Sequence, residues 1–138
     1  MSLKYLLDTN VVSEPLRPQP QHGIVRKLSR HEDEIAICSV LWHELRYGVE
    51  RLAPSRRRDV IVRYLDEVVA ATMPILDYDR AAAEWHALER ARLAARGATP
   101  PFADGQIAAI AYVNELALVT FNAVDFRQFH GLRVLSWR

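Results

Sequence analysis

The 138-residue sequence predicts an α/β layer fold built on a largely parallel sheet. Two observations carry that expectation. Short apolar runs alternate with longer stretches of helical periodicity along the whole chain, the order expected of successive β–α units. Several of the short runs are apolar without alternation, which suits strands covered on both faces.

The elements follow in order. Leu3–Leu7 is a short apolar run that stops at Asp8 and reads as a buried strand. A turn-rich stretch with Pro15, Pro18 and Pro20 comes next, then a short helix over Gly23–Arg30. Glu34–Cys38 reads as the second strand, and Ser39 as the cap of a helix over Val40–Leu52. In Ser55–Ala71, Val60, Ile61, Tyr64, Leu65 and Val68 share one face at helical spacing. Met73–Leu76 is a third apolar run, and Pro74 within it favours the sheet edge or a strand start. Asp79 caps an alanine-rich helix that places Trp85 and Leu88 on one side and stops at Gly97. Pro100 and Pro101 precede a helix over Phe102–Asn114 that turns Ile107, Ile110 and Ala111 inward. Leu116–Thr120 and Leu132–Leu135 complete the strands.

Composition narrows the function classes. Half the residues are hydrophobic and a quarter are charged, the balance of a globular protein with a real core. The length suits one domain over 1–138. Cys38 is the single cysteine, so there is neither an internal disulfide nor a zinc spacing; it reads as a buried core thiol, consistent with a reducing cytoplasm. No signal peptide or membrane-spanning run is evident. The net charge of +1 selects no partner. Basic residues gather at Arg56–Arg58 and between Arg80 and Arg96, as a solvated helix face or as a phosphate-binding fringe. The histidines show no metal-ligand spacing, and the tryptophans read as core or interface.

The acids are the informative feature. In open parallel sheets, ligands bind outside the carboxyl ends of the strands. Asp8 follows the first strand, Glu44 lies in the helix after the second, and Asp104 lies near the start of the helix after Pro101. Asn122 and Asp125 follow the strand ending at Thr120. With parallel strands, all fall at one edge. Acids gathered there repel one another and raise one another's pKa, so such a cluster makes sense around a divalent cation. Mg²⁺ and Mn²⁺ prefer oxygen ligands and leave room for water and phosphate. Singly, each acid also fits a turn former, a helix cap or a solvated side chain.

Four stretches resemble the motifs of one family. Leu6-Leu7-Asp8-Thr9-Asn10-Val11 is similar to the first motif of PIN domains, and Ser39-Val40-Leu41-Trp42-His43-Glu44-Leu45-Arg46-Tyr47-Gly48 to the second. Phe102-Ala103-Asp104-Gly105-Gln106-Ile107-Ala108-Ala109 is similar to the third, and Leu118-Val119-Thr120-Phe121-Asn122-Ala123-Val124-Asp125-Phe126 to the fourth. No one motif is very specific, but all four occur in order over nearly the whole chain. The likeness is greatest to the VapC- and FitB-like toxin branch.

The resemblance implies a three-layer α/β/α PIN fold with about five strands and a metal-dependent endoribonuclease. It makes Asp8 and Asp104 the main ligands of Mg²⁺ or Mn²⁺. Glu44 completes the cluster directly or through water, and Thr9, Ser39 and Thr120 are supporting hydroxyls. Many relatives carry an acid where this chain has Asn122; Asp125 either supplies that charge or steadies the loop. Implied partners are an RNA substrate such as a tRNA, a small antitoxin that blocks the site and carries the DNA-binding part, and a second copy of the chain. Two other readings remain. A phosphatase with an aspartyl nucleophile fits Asp8, but Asn10 stands where its second acid belongs. A non-catalytic PIN-like binding module would explain Asn122.

Overall fold

The computed structural model describes residues 2–138. Five strands form one sheet: β1 (Tyr5–Leu7), β2 (Ile35–Cys38), β3 (Ile75–Leu76), β4 (Ala117–Val119) and β5 (Val134–Leu135). Their order is β3-β2-β1-β4-β5, and each neighbouring pair is parallel, so the sheet is wholly rather than mostly parallel. The register places Tyr5 beside Ile35 and Ala117, and Leu7 beside Val119. Pro74 stands just before β3 at the sheet edge, where its missing N–H costs nothing, and its carbonyl accepts from the Ile37 N–H at 3.0 Å.

Between the strands run α1 (Thr9–Val12), a 3₁₀ turn (Glu14–Leu16), α2 (His22–Arg30) and α3 (Ser39–Glu50). They are followed by α4 (Arg56–Tyr64), a π-helical turn (Leu65–Val69) and α5 (Ala70–Thr72). Then come α6 (Arg80–Ala95), α7 (Phe102–Val113) and α8 (Ala123–Phe126). Successive strand residues enter opposite layers, as the pleat demands. Leu6, Ala36, Cys38 and Leu118 pack with Ala82, Leu93 and Ile110 on one face. Leu7, Ile35, Ile37 and Val119 pack with Val11, Ile24, Leu28 and Leu65 on the other. Helices therefore cover both faces of the sheet, giving three layers. Among the described residues no helix is long and apolar enough to cross a membrane.

Several local expectations are corrected. The proline-rich stretch contains α1 and the 3₁₀ turn, whose Glu14 is fully buried and accepts from the Gln21 backbone N–H and the Arg17 guanidinium. The residue capping α3 is Cys38, and Ser39 is the helix's first residue. Val60 and Val68 are exposed, at 55% and 43%, while Leu65 and Val69 are buried. The π turn inserts an extra residue, so the apolar face no longer follows the 3.6-residue period. On α6, Leu88 points to solvent at 71% exposure, and the buried stripe is Ala82, His86, Glu89 and Leu93. Gly97, at φ +69°, ends α6: its N–H bonds to Ala94 and that of Ala98 to Leu93.

Candidate active site

The strand order reverses between β1 and β4. The chain moves outward from β1 through β2 to β3, then returns to the other side of β1 with β4 and β5. Adjacent loops leave in opposite directions there, opening a crevice at the carboxyl ends of the strands. Asp8 ends β1 at that crevice and is only 7% exposed. Its extended backbone (φ −74°, ψ 160°) makes it the cap of α1, and Oδ1 accepts from the Thr9 N–H at 2.8 Å. The Thr9 hydroxyl lies 3.5 Å from the same oxygen. Oδ2 accepts from the Thr120 hydroxyl at 2.7 Å, and Thr120 Oγ1 in turn accepts from the Asn122 N–H at 2.9 Å. Asp8 is thus held from both strands that flank the crevice.

Three further carboxylates come from helices at the same edge of the sheet. Glu44 is in the second turn of α3, Asp104 in the first turn of α7 and Asp125 in the first turn of α8. Burial raises the pKa of Asp104 above its ordinary value, and the charges of Asp125 and Asp8 raise it further. Burial likewise raises that of Glu44, followed by the charges of Asp8 and Asp104. These are the signs of like charges sharing a partly desolvated space. The Cys38 thiol beneath them is fully buried, and desolvation pushes its pKa up to about 11, so it is not a nucleophile.

The remaining expected residues divide. Asn122 precedes α8 with its side chain exposed and making no capping bond, so its observed link to the site is through its backbone N–H. Ser39 opens α3, but its hydroxyl makes no hydrogen bond to a described carboxylate. Asn10 is occupied structurally: Oδ1 accepts from the Phe121 N–H at 3.4 Å. Among the described residues, no three His, Cys, Asp or Glu side chains stand close enough to enclose an ion by themselves. The donor set is all-carboxylate and mutually repelling. It fits a hard divalent cation whose other positions are filled by water and phosphate. Beside Glu44 a groove of about 490 Å³ runs past Thr9, Leu45 and Leu52 to Ile61, with Arg17 and Arg57 on its walls.

Sequence reasoning missed two buried polar residues of α6. Glu89 is buried, forms a two-pronged bond with Arg92 (2.8 and 2.9 Å) and accepts from the His130 N–H at 2.6 Å. It thereby ties the segment after α8 to α6. His86 is 2% exposed and lies against Gly105, the residue after Asp104. The available signal was their spacing with Ala82 and Leu93 on one helical stripe, which the exposed Leu88 obscured.

A model of the PIN domain matches residues 5–132. The chain belongs to the PIN-domain family. Within it, this PIN domain is 32% identical over 136 residues to the "tRNA(fMet)-specific endonuclease VapC" of Salmonella typhimurium, covering 98% of each chain. It is 34% identical over 124 residues to "Toxin FitB" of Neisseria gonorrhoeae, covering 88% of this chain and 89% of that one. Its fold superposes on the crystal structure of FitAcB from Neisseria gonorrhoeae with a TM-score of 0.88 at 31% identity, over 96% of this chain and 97% of that one. This PIN domain is a homologue of VapC ribonucleases and FitB toxins.

Proposed function

We propose that this PIN domain, taken as one unit over 1–138, is a divalent-cation-dependent endoribonuclease acting as the toxin of a toxin–antitoxin pair. The observation carrying the reading is that Asp8, Glu44, Asp104 and Asp125 sit on the elements bordering the β1–β4 crevice, with the pKa values of Glu44 and Asp104 raised by burial and then by neighbouring acids. Asp8, Asp104 and Glu44 would hold the cation, Mg²⁺ or Mn²⁺, with Asp125 adding charge. When bound, a hard divalent cation supplies charge neutralisation at a phosphodiester and acidifies water beside it.

The chain's own residues prepare the site for that chemistry. Thr120 and the Thr9 N–H each occupy one Asp8 oxygen, which fixes the carboxylate plane and leaves the remaining lone pairs toward the crevice. Glu44 and Asp104 are raised in pKa by burial and then by neighbouring acids, a penalty that a bound cation would offset. The repulsion among the acids also keeps a phosphate out until a cation offsets it. The RNA would be cut by hydrolysis to 5′-phosphate and 3′-hydroxyl ends, a tRNA being the first substrate to try because of the Salmonella relative's name.

The antitoxin would lay its tail across the crevice. An Arg from it can replace the cation's charge among the carboxylates, and the apolar groove past Leu45, Leu52 and Ile61 accommodates its nonpolar side chains. A second copy would pack on α6, where Leu88 is exposed at 71%; sedimentation of wild type against Leu88→Asp tests that.

The deciding experiment is cleavage of total RNA and of purified tRNA by the isolated protein with Mg²⁺ or Mn²⁺, against EDTA and Asp104→Asn controls. Discrete fragments lost in both controls support the reading. No cleavage in either metal overturns it and favours a PIN-fold binding module.

A further inference from the structure

One buried polar group lies next to the acid cluster yet is not part of it. His86 of α6 is 2% exposed. Its Nδ1 is 2.8 Å from the Tyr78 hydroxyl, with the two rings nearly edge-on at 79°. Its Nε2 is sealed from solvent and has no hydrogen-bond partner. The structure gives that nitrogen an unusual neighbour: a Cβ built on Gly105 would overlap Nε2 and lie 2.6 Å from Cδ2. The Phe102 ring closes the same space from the start of α7, 4.9 Å away.

The contact selects one tautomer. An Nε2–H would be a buried donor with no acceptor, whereas an Nε2 lone pair can face the Cα–H of Gly105. Nδ1–H therefore donates to the Tyr78 oxygen. Burial lowers the pKa of His86 and the nearby Arg90 charge lowers it further, both favouring the neutral ring. An apolar side chain could fill the same space, but nothing would then fix its rotation. The Tyr78 bond does fix it, and the ring edge meets the one backbone position on α7 that immediately follows Asp104.

We propose that His86 is a positioning residue for Asp104: its ring, oriented by Tyr78 and seated on the bare Cα of Gly105, sets the first turn of α7 so that the Asp104 carboxylate faces Asp8 and Asp125. The inference rests on the reading of Asp104 as part of the acid site.

The test uses Tyr78→Phe, Gly105→Ala and the double variant His86→Ala/Gly105→Ala. The readouts are the metal-free amide shift of Asp104 in ¹⁵N spectra, its movement on Mg²⁺ titration and the thermal midpoint. Tyr78→Phe removes one hydroxyl and is expected to fold. It should move the metal-free Asp104 amide and weaken its Mg²⁺ response by roughly tenfold, the low end for partners that orient a metal ligand. Gly105→Ala should abolish the response, and the double variant, which clears the clash but lacks the ring, should fold without regaining the wild-type response. An unchanged Asp104 amide and Mg²⁺ response in Tyr78→Phe overturns the proposal, even if Gly105→Ala does not fold. So does a double variant whose Asp104 amide shift and Mg²⁺ response match wild type, because the ring would then be dispensable. A wild-type Asp104 that ignores Mg²⁺ would instead sink the metal reading, while the metal-free shift in Tyr78→Phe still decides the positioning role.

Discussion

The Thr120 hydroxyl donates to Asp8 Oδ2 across 2.7 Å and joins two residues 112 positions apart. They end neighbouring strands at the point where the sheet reverses its order. The bond fixes a carboxylate that also caps α1, so the crevice and the first helix share one anchor.

Thr120→Val keeps the shape of the side chain but leaves a buried carboxylate oxygen without its donor. The expected cost is about 1–3 kcal/mol of stability, read from the urea midpoint, with a parallel loss of RNA cleavage. Thr120→Ser, which retains the hydroxyl, should recover most of both. Equal stabilities for Val and Ser would remove the anchor role.

Asp104→Asn should separate stability from activity. The folded-state pKa of Asp104 is raised by burial and by Asp125 and Asp8. A carboxylate raised in this way destabilises the native state above its folded pKa, and the penalty is relieved as pH falls through that pKa. Near neutral pH and without metal, the Asn variant should melt higher, by on the order of 0.5 kcal/mol after allowance for solvent screening. The gain should close as pH falls into the carboxylate range. Metal-dependent cleavage should be lost at every pH. A variant that melts lower than wild type near neutral pH would contradict the repulsion.

Asn122 and Asp125 make a direct comparison. Asn122 contributes its backbone N–H to Thr120, while Asp125 contributes charge that reaches Asp104. Asp125→Asn should therefore weaken Mn²⁺ binding in calorimetry, and Asn122→Ala should leave it nearly unchanged. The reverse result would return the fourth motif position to Asn122.

Glu89→Gln tests the tie beneath α8. The bond to Arg92, with the His130 N–H adding to it, holds the Glu89 carboxyl below its ordinary pKa. Such a group stabilises above its unfolded pKa and loses that contribution as pH falls through the depressed folded value. The substitution should cost on the order of 1 kcal/mol at neutral pH, because Arg92 remains partly solvated. The difference should shrink below about pH 4, where carboxylates protonate. A deficit independent of pH would mean that packing rather than charge is lost.

Much of the fold and of the acid site is legible in local chemistry. Apolar runs without alternation mark the doubly covered strands, Pro74 marks the edge, and Gly97 ends α6. The placement of Asp8, Glu44, Asp104 and Asp125 after or between those elements is readable because a parallel sheet sends its carboxyl ends to one side. Periodicity fails where the backbone leaves the regular helix, as at Val68 in the π turn. It fails again where polar residues occupy the buried stripe, as His86 and Glu89 do.

The elements and the acids at their ends follow from side-chain period and from residues a few positions apart, so the order of amino acids is enough to specify them. The pairings within the site arise only on packing. The strand order places Asp8 against Thr120, the turn of α8 makes Asp125 the acid that reaches Asp104, and the α6–α7 crossing sets His86 on Gly105. Those pairings join groups far apart in the chain, and a hydrogen bond or a steric contact acts only over a few ångströms, so they exist only once the layers have packed.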